Sequence, residues 1–185
     1  MSETNREVEL RMAIADPTAL DQALRAQGAT IIGQGLVRTT SYDYADGHLR
    51  AARQTLRLRE DWTGLALTSK RPLGATTGED AGGAKVREEV TLPLPVASAA
   101  DARSVLDHLG LRETIAYDKQ RTSWQLGAAR IDLDVLADGG ACYAEIEADA
   151  DDITTTRTLL GLDTTPVETR SYFDLVQAVR KGWSG

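Results

Sequence analysis

Thiol and imidazole chemistry are nearly missing from this chain, which has one cysteine, Cys142, and two histidines, His48 and His108, among 185 residues. A lone cysteine excludes an internal disulfide framework and any multi-cysteine metal site, and Cys142 reads as a small buried apolar residue. The histidines are isolated, His48 in a turn and His108 in a helical stretch, which argues against a histidine-based triad or a histidine-rich metal centre. Aromatic residues are scarce at 5%. No apolar run approaches the ~20 residues that span a bilayer, and Met1 to Arg6 is polar rather than signal-like, so a cytoplasmic address is expected. A net charge of −7 argues against a general binder of nucleic acid or acidic membranes, whose surfaces are usually basic. With 42% hydrophobic and 26% charged residues, the composition is that of one soluble globular domain over 1–185 with a core of its own.

Short alternating segments dominate what is there. Glu7 to Ile14 reads as a strand. Asp16-Pro17 supplies a cap and a first-turn proline for a helix that ends at Gly28. Thr30 to Tyr44, rich in Ile, Val and Thr, predicts a long strand. After a turn at Asp46-Gly47, Gln54 to Asp61 and Leu65 to Arg71 form a hairpin across Thr63-Gly64. Gly74 to Ala84 is glycine-rich and reads as a mobile loop; without a Gly-Lys-Ser or Gly-Lys-Thr ending it is no Walker-type phosphate loop. Lys85 to Leu92 is a strand closed by Pro93 and Pro95. Ser98 and Asp101 suggest a capping box for a helix to about Leu109. Glu113 to Leu126, Ala128 to Leu136 and Ala141 to Asp149 are strands, and Asp152 to Leu160 and Ser171 to Lys181 are helices. These elements, about eight strands and four helices with hairpin-type connections, predict an α+β fold with an antiparallel sheet.

The informative pattern lies within the strands. Glu7-Val8-Glu9-Leu10-Arg11, Arg57-Leu58-Arg59, Asp132-Leu133-Asp134 and Glu145-Ile146-Glu147 alternate fully charged with apolar residues. Lys119 with Arg121, and Arg87 with Glu89, share the spacing. Side chains two apart lie on one side of a strand, so each pair shares a face. These faces are either ordinary solvated sheet surface or the lining of a closed barrel whose apolar faces pack outward beneath the helices. Like charges at adjacent positions (Arg57 with Arg59, Glu145 with Glu147) destabilise a bare surface, whereas around a polyvalent ligand they are useful. The helices also need an apolar partner, which Val8, Leu10, Leu58, Leu133 and Ile146 supply. Buried charges are costly unless paired or neutralised, so such a lumen implies a densely charged ligand. Arginines and lysines suit phosphate oxygens. Carboxylates suit Mg²⁺ or Mn²⁺, which bridge polyphosphates.

The order of these elements resembles the CYTH superfamily, also called triphosphate tunnel metalloenzymes, which includes class IV adenylate cyclases, thiamine triphosphatases and inorganic triphosphatases. Glu7-Val8-Glu9-Leu10-Arg11 is similar to the family's Glu-x-Glu-x-Lys opening. Leu56 to Glu60, Leu67-Thr68-Ser69-Lys70, Arg87-Glu88-Glu89, Lys119-Gln120-Arg121, the Asp132–Asp134 and Glu145–Glu147 strands and Arg170-Ser171-Tyr172 follow in the family's order. The resemblance implies an eight-stranded antiparallel β-barrel, a triphosphate tunnel with about four helices outside. It implies that Glu7, Glu9, Asp134, Glu145 and Glu147 carry the metal, with Asp134 preferred over Asp132. It implies that Arg57, Arg59, Lys70, Arg87, Lys119, Arg121 and Arg170 grip phosphates, and that Arg11 and Glu147 act in catalysis. Arg11 stands where the family usually has lysine, and Arg170 likewise replaces lysine. Arginine keeps the charge but does not exchange a proton at working pH. Ser41 replaces a frequent aromatic.

The expected function is a Mg²⁺- or Mn²⁺-dependent phosphohydrolase acting on a small-molecule triphosphate. Inorganic triphosphate comes first because no aromatic platform for an organic group stands out, although a well-placed Trp62 or Tyr42 would change that. The alternatives are a class IV adenylate cyclase making cyclic AMP from ATP, and a non-catalytic module that binds polyphosphate or a nucleotide. Neither nucleic acid nor membrane is an expected partner; a homodimer is allowed.

Overall fold

The protein is described as a computed structural model over residues 3–73 and 83–182, with the side chains of residues 3 and 4 left aside. Most of the glycine-rich segment read as a loop, 74–82, lies outside the described residues. Eight strands form a closed antiparallel barrel in the order β1-β5-β4-β3-β2-β6-β7-β8. They are β1 (Glu3–Ala13), β2 (Thr30–Tyr44), β3 (Thr55–Asp61), β4 (Gly64–Pro72), β5 (Lys85–Leu94), β6 (Leu111–Leu126), β7 (Ala129–Leu136) and β8 (Cys142–Glu147). β1 closes the ring by pairing with β5 on one side and β8 on the other, with Glu9 opposite Lys85 and Glu147. A barrel has no edge strand to protect.

Alternation decides which residues face the lumen. On β1, Val8, Leu10 and Met12 point outward. They pack with Leu133 and Ile146 against Leu20 and Leu24 of α1 (Pro17–Ala26) and Ile153 of α4 (Ala150–Leu159). Leu58 of β3 and Leu65 of β4 pack with Leu106 of α3 (Ala99–His108). The hydrophobic core thus lies between the barrel and its helices, and the charged residues between these positions face inward. The solvated-sheet reading is excluded.

Five α-helices are present among the described residues instead of four. The additional one, α2 (His48–Ala51), covers the segment read as a turn. Four residues are too few for a helical period to show in sequence. A tertiary contact holds it instead: the Asp43 carboxylate accepts from the backbone N–H groups of Leu49 and Arg50 at 2.8 and 3.0 Å. At α1 the expected cap is present, with Asp16 accepting from the N–H groups of Thr18 and Ala19. At α3 it is not: the Ser98 side chain makes no cap bond, because a 3₁₀ turn, Val96–Ser98, runs straight into the helix.

Two devices fill parts of the inner face. Tyr172, Leu175 and Val176 of α5 (Tyr172–Gly182) pack against Ile115, Tyr117, Leu136 and Tyr143, which share the inward parity of β6, β7 and β8. Farther along, Trp62 of the β3–β4 turn lies over Gly33 and Gly35 of β2. A Cβ at Gly33 would stand 2.4 Å from the indole ring, so this close approach needs glycine.

Candidate functional site

Between these two devices a cavity of about 810 Å³ runs through the barrel to a mouth formed by the end of β2, α2, the start of β3 and the segment before α5. Glu7, Glu9, Arg11, Arg57, Arg59, Lys70, Arg87, Arg121, Glu145 and Glu147 all line it. Strand parity brings them there from six strands.

Most of these charges are paired with one another. Lys70 is bonded to Glu7 and lies 2.6 Å from Glu89. Arg87 Nη2 stands 2.9 Å from Glu9 and 3.2 Å from Glu7. Arg121 donates to Asp134 from Nε at 2.6 Å, to Glu145 from Nη2 at 2.7 Å, and also to Asp132. Arg11 is similarly engaged. Its Nε and Nη2 donate to Glu145 Oε1 at 2.8 and 2.6 Å, Nη2 also reaches Glu9 at 3.3 Å, and Nη1 donates to the Arg170 carbonyl at 2.7 Å. The guanidinium lies over the Tyr172 ring, 4.1 Å from its centroid, and Lys119 Nζ stands 4.2 Å from the same centroid. The Tyr172 hydroxyl donates to Asp134 at 2.5 Å.

Burial raises the cost of every lumen charge, so the pKa directions report which partner wins. Burial alone would lift Glu145, but Arg11, Lys119 and Arg121 hold it well below the usual carboxylate range. Burial lifts Glu7 above it, against the pull of Lys70. Glu147 is raised by burial and then by repulsion from Glu7. Burial, and then the cation of Arg11, pushes Lys85 down to about 8.

A few groups are left over. Arg57 Nε is buried without a hydrogen-bond partner, its charge felt by Glu89, and Glu147 is drawn only toward the charges of Arg130 and Lys70. Glu7 Oε2, Arg59 Nε and Arg87 Nε are also buried without a hydrogen-bond partner. Glu7 Oε2 is near Arg87 and Arg59 Nε is 3.1 Å from Asp61, but these contacts are misaligned for a hydrogen bond. Charge is balanced there while each Nε donor stays available to a ligand. An unpartnered buried polar atom costs about 1–3 kcal/mol.

The remaining expected residues are placed differently. Asp134 is 0% exposed and its oxygens accept from Lys119, Arg121 and Tyr172; Asp132 lines the cavity instead. Lys119 is likewise buried behind Tyr172. Arg170 sits at the mouth, its guanidinium on Glu168 and its carbonyl turned to Arg11. Of the two aromatics considered as platforms, Tyr42 is buried in the outer core and Trp62 rests on β2. Lys85, Glu89 and Tyr172 belong to the site and were not picked out for it. For Lys85 the signal was present, since Lys85, Arg87 and Glu89 are spaced to share a face.

No three Asp, Glu, His or Cys side chains among the described residues converge as a ready metal cluster. The donors left over nevertheless fit a hard divalent ion. Glu7 Oε2 is buried without a hydrogen bond, and Glu9, held by Arg11 and Arg87, stands opposite Glu147 in register. A cation there would relieve the Glu7–Glu147 repulsion.

Comparison with known proteins places this geometry. The CYTH domain family matches residues 5–172. No curated protein matches. Solved structures with the same fold include a Pyrococcus horikoshii protein at 22% identity, covering 93% of this chain and 98% of that one with a TM-score of 0.72. A Vibrio parahaemolyticus protein described as an adenylate cyclase candidate is 19% identical over 95% and 99% of the two chains, TM-score 0.71. An adenylyl cyclase candidate from Hippeastrum, described as having a dominant triphosphatase activity, is 16% identical over 93% and 95%, TM-score 0.66. At these identities the likeness establishes the fold.

Proposed function

This chain belongs to the CYTH domain family, and we propose that it is a divalent-metal-dependent phosphohydrolase that takes a triphosphate end-on into its tunnel. One observation carries this reading: in a lumen where most charges are paired, the Nε groups of Arg57, Arg59 and Arg87 and Oε2 of Glu7 are buried without a hydrogen-bond partner among the described residues. An evolved interior does not keep such groups unless a ligand completes them.

Arg57, Arg59 and Arg87 have buried donors to give to phosphate oxygens, and Lys85 is still cationic at neutral pH. Lys70 and Arg121 hold the carboxylates in place while adding positive potential. Glu7, Glu9 and Glu147 would hold the ion, with Glu145 behind them fixed by Arg11 and Arg121. When bound, a divalent ion neutralises and orients the phosphates. The Glu147 carboxylate would take the proton of the attacking water. The arginines stabilise charge developing on the phosphates. Arg11 has its donors committed to Glu145, Glu9 and the Arg170 carbonyl, so it acts as a positioning residue. Hydrolysis as the first reading is in keeping with the triphosphatase activity described for the Hippeastrum protein.

The test is orthophosphate release from inorganic triphosphate, thiamine triphosphate and ATP with Mg²⁺ or Mn²⁺, for the wild type and Glu147→Gln. The substitution should lower metal-dependent turnover by about a hundredfold or more; unchanged activity would remove Glu147 from the site. Cyclic AMP as the main product from ATP would replace hydrolysis with cyclisation. Tight binding with no turnover would make the protein a sensor.

A further inference from the structure

The end of the tunnel away from the mouth is closed by a different chemistry. On β3 the inward positions run Arg57, Arg59 and then Asp61, which stands 3.1 Å from Arg59. Asp61 also accepts from the N–H and the hydroxyl of Thr63, at 2.8 and 2.5 Å. These bonds fix the turn that carries Trp62. On β2, Gly35 and Gly33 stand opposite Arg121 and Ser123. Residues opposite each other in an antiparallel pair share a face, and Arg121 lines the cavity, so both glycines leave inner positions without a side chain. The Trp62 indole occupies that space: a Cβ would stand 2.4 Å from it at Gly33 and 3.5 Å at Gly35. Glycine weakens a strand interior and marks a close approach; two in succession on one face clear a seat for the ring. The register continues from Ser123 to Asp132 and from there to Glu145. The ring therefore sits in line with the carboxylates of the site, whereas the mouth lies at the other end of β2.

Resting on the reading of the tunnel as a triphosphate site, we propose that Trp62 determines specificity for the end of a phosphate chain. Its ring stops the terminus inside the barrel, so that hydrolysis is counted from that terminus and a longer polyphosphate is not cut internally. Three observations support the assignment. The cationic track of β3 stops at Arg59, and a further phosphate would meet the Asp61 carboxylate, which repels it. Neither inward position of β2 at this level supplies a side-chain donor, and Arg130, which lines this end, is engaged by Asp132 at 3.1 Å. Trp62 is 40% exposed, so one side of the ring meets solvent while the other rests on the inner face of β2, where an open barrel would let a chain run through. A seat built only for packing would fill that face of β2 with its own β-branched side chains, with no need of a tryptophan from the neighbouring turn.

Product analysis separates this proposal from the reading it rests on. With Mg²⁺, wild-type protein should shorten a long linear polyphosphate only from its end, releasing orthophosphate without fragments of intermediate length. Trp62→Ala removes the stop, and Gly33→Ala displaces the ring while keeping it. Each should raise the ratio of internal fragments to orthophosphate about tenfold or more, with thermal melts confirming folding. A purely structural role for the ring would not move that ratio. Binding of inorganic triphosphate should also change the tryptophan emission of the wild type and leave that of Trp62→Phe unchanged. Internal fragments from the wild type, their absence from either folded variant, or an equal emission change with and without Trp62 would show that the chain end stops elsewhere, and the triphosphate tunnel would stand. If no form hydrolyses inorganic triphosphate or polyphosphate, both readings fall.

Discussion

Arg11 shows how much one side chain changes at constant charge. A lysine could not make its contacts, because an ammonium is a point donor and cannot reach Glu145, Glu9 and a backbone carbonyl while lying flat on Tyr172. The guanidinium also ties down the chain after α4, because Nη1 donates to the Arg170 carbonyl at 2.7 Å, two residues on from the backbone bond that the Glu168 N–H donates to the Arg11 carbonyl. Arg11→Lys is therefore expected to destabilise the fold by about 1–3 kcal/mol. Hydrogen exchange at Glu168 should rise, while turnover falls less than in Glu147→Gln. A larger loss of turnover in Arg11→Lys than in Glu147→Gln would make Arg11 a reacting group. The inward charges at Glu7, Glu9, Arg57, Arg59, Glu145 and Glu147 were legible in the sequence because alternation is a local property. Which of them stay unpartnered was not, because pairing depends on strands distant in sequence.

At the level of elements, β2 was bounded correctly from composition, and β3 to within a residue. α2 was missed, since a four-residue helix anchored by Asp43 has no periodic signal. The capping box before α3 was expected from a real pattern that the preceding 3₁₀ turn pre-empts. The β3–β4 turn depends on another contact between distant residues, Trp62 on Gly33. Gly33→Ala places a methyl group inside the indole contact, and because Trp62 is 40% exposed the ring should swing outward rather than distort β2. Tryptophan emission should shift to the red, with a stability loss of about 1 kcal/mol. The shift should vanish in a Trp62→Phe background. Unchanged emission would mean that the ring is held elsewhere.

For the whole molecule, the network of lumen charges makes stability depend on pH. Burial opposes ionisation of Glu89, but Lys70 outweighs it and lowers its pKa to about 2 from an ordinary 4.5. A carboxylate depressed in the folded state stabilises the protein fully above the unfolded value and loses that contribution as pH falls toward the folded one. The contribution should thus disappear between pH 4.5 and about 2. With partial screening it amounts to on the order of 2 kcal/mol. Glu89→Gln should flatten the acid limb of the thermal-melting profile in that window; an unaltered slope would show that Lys70 does not select the ionised form. No helix among the described residues is long and apolar enough to cross a membrane.

The sequence by itself determined the strand faces, the outward core and the family, because side-chain alternation and element order are written along the chain. It could not determine which charges neutralise one another, which acid of the Asp132–Asp134 pair reaches the cavity, or that the Arg50 guanidinium lies over the Phe173 ring at the mouth. Those depend on barrel closure, which brings β1 against β8 and α2 against α5 across more than a hundred residues, and closure is a property of the whole chain.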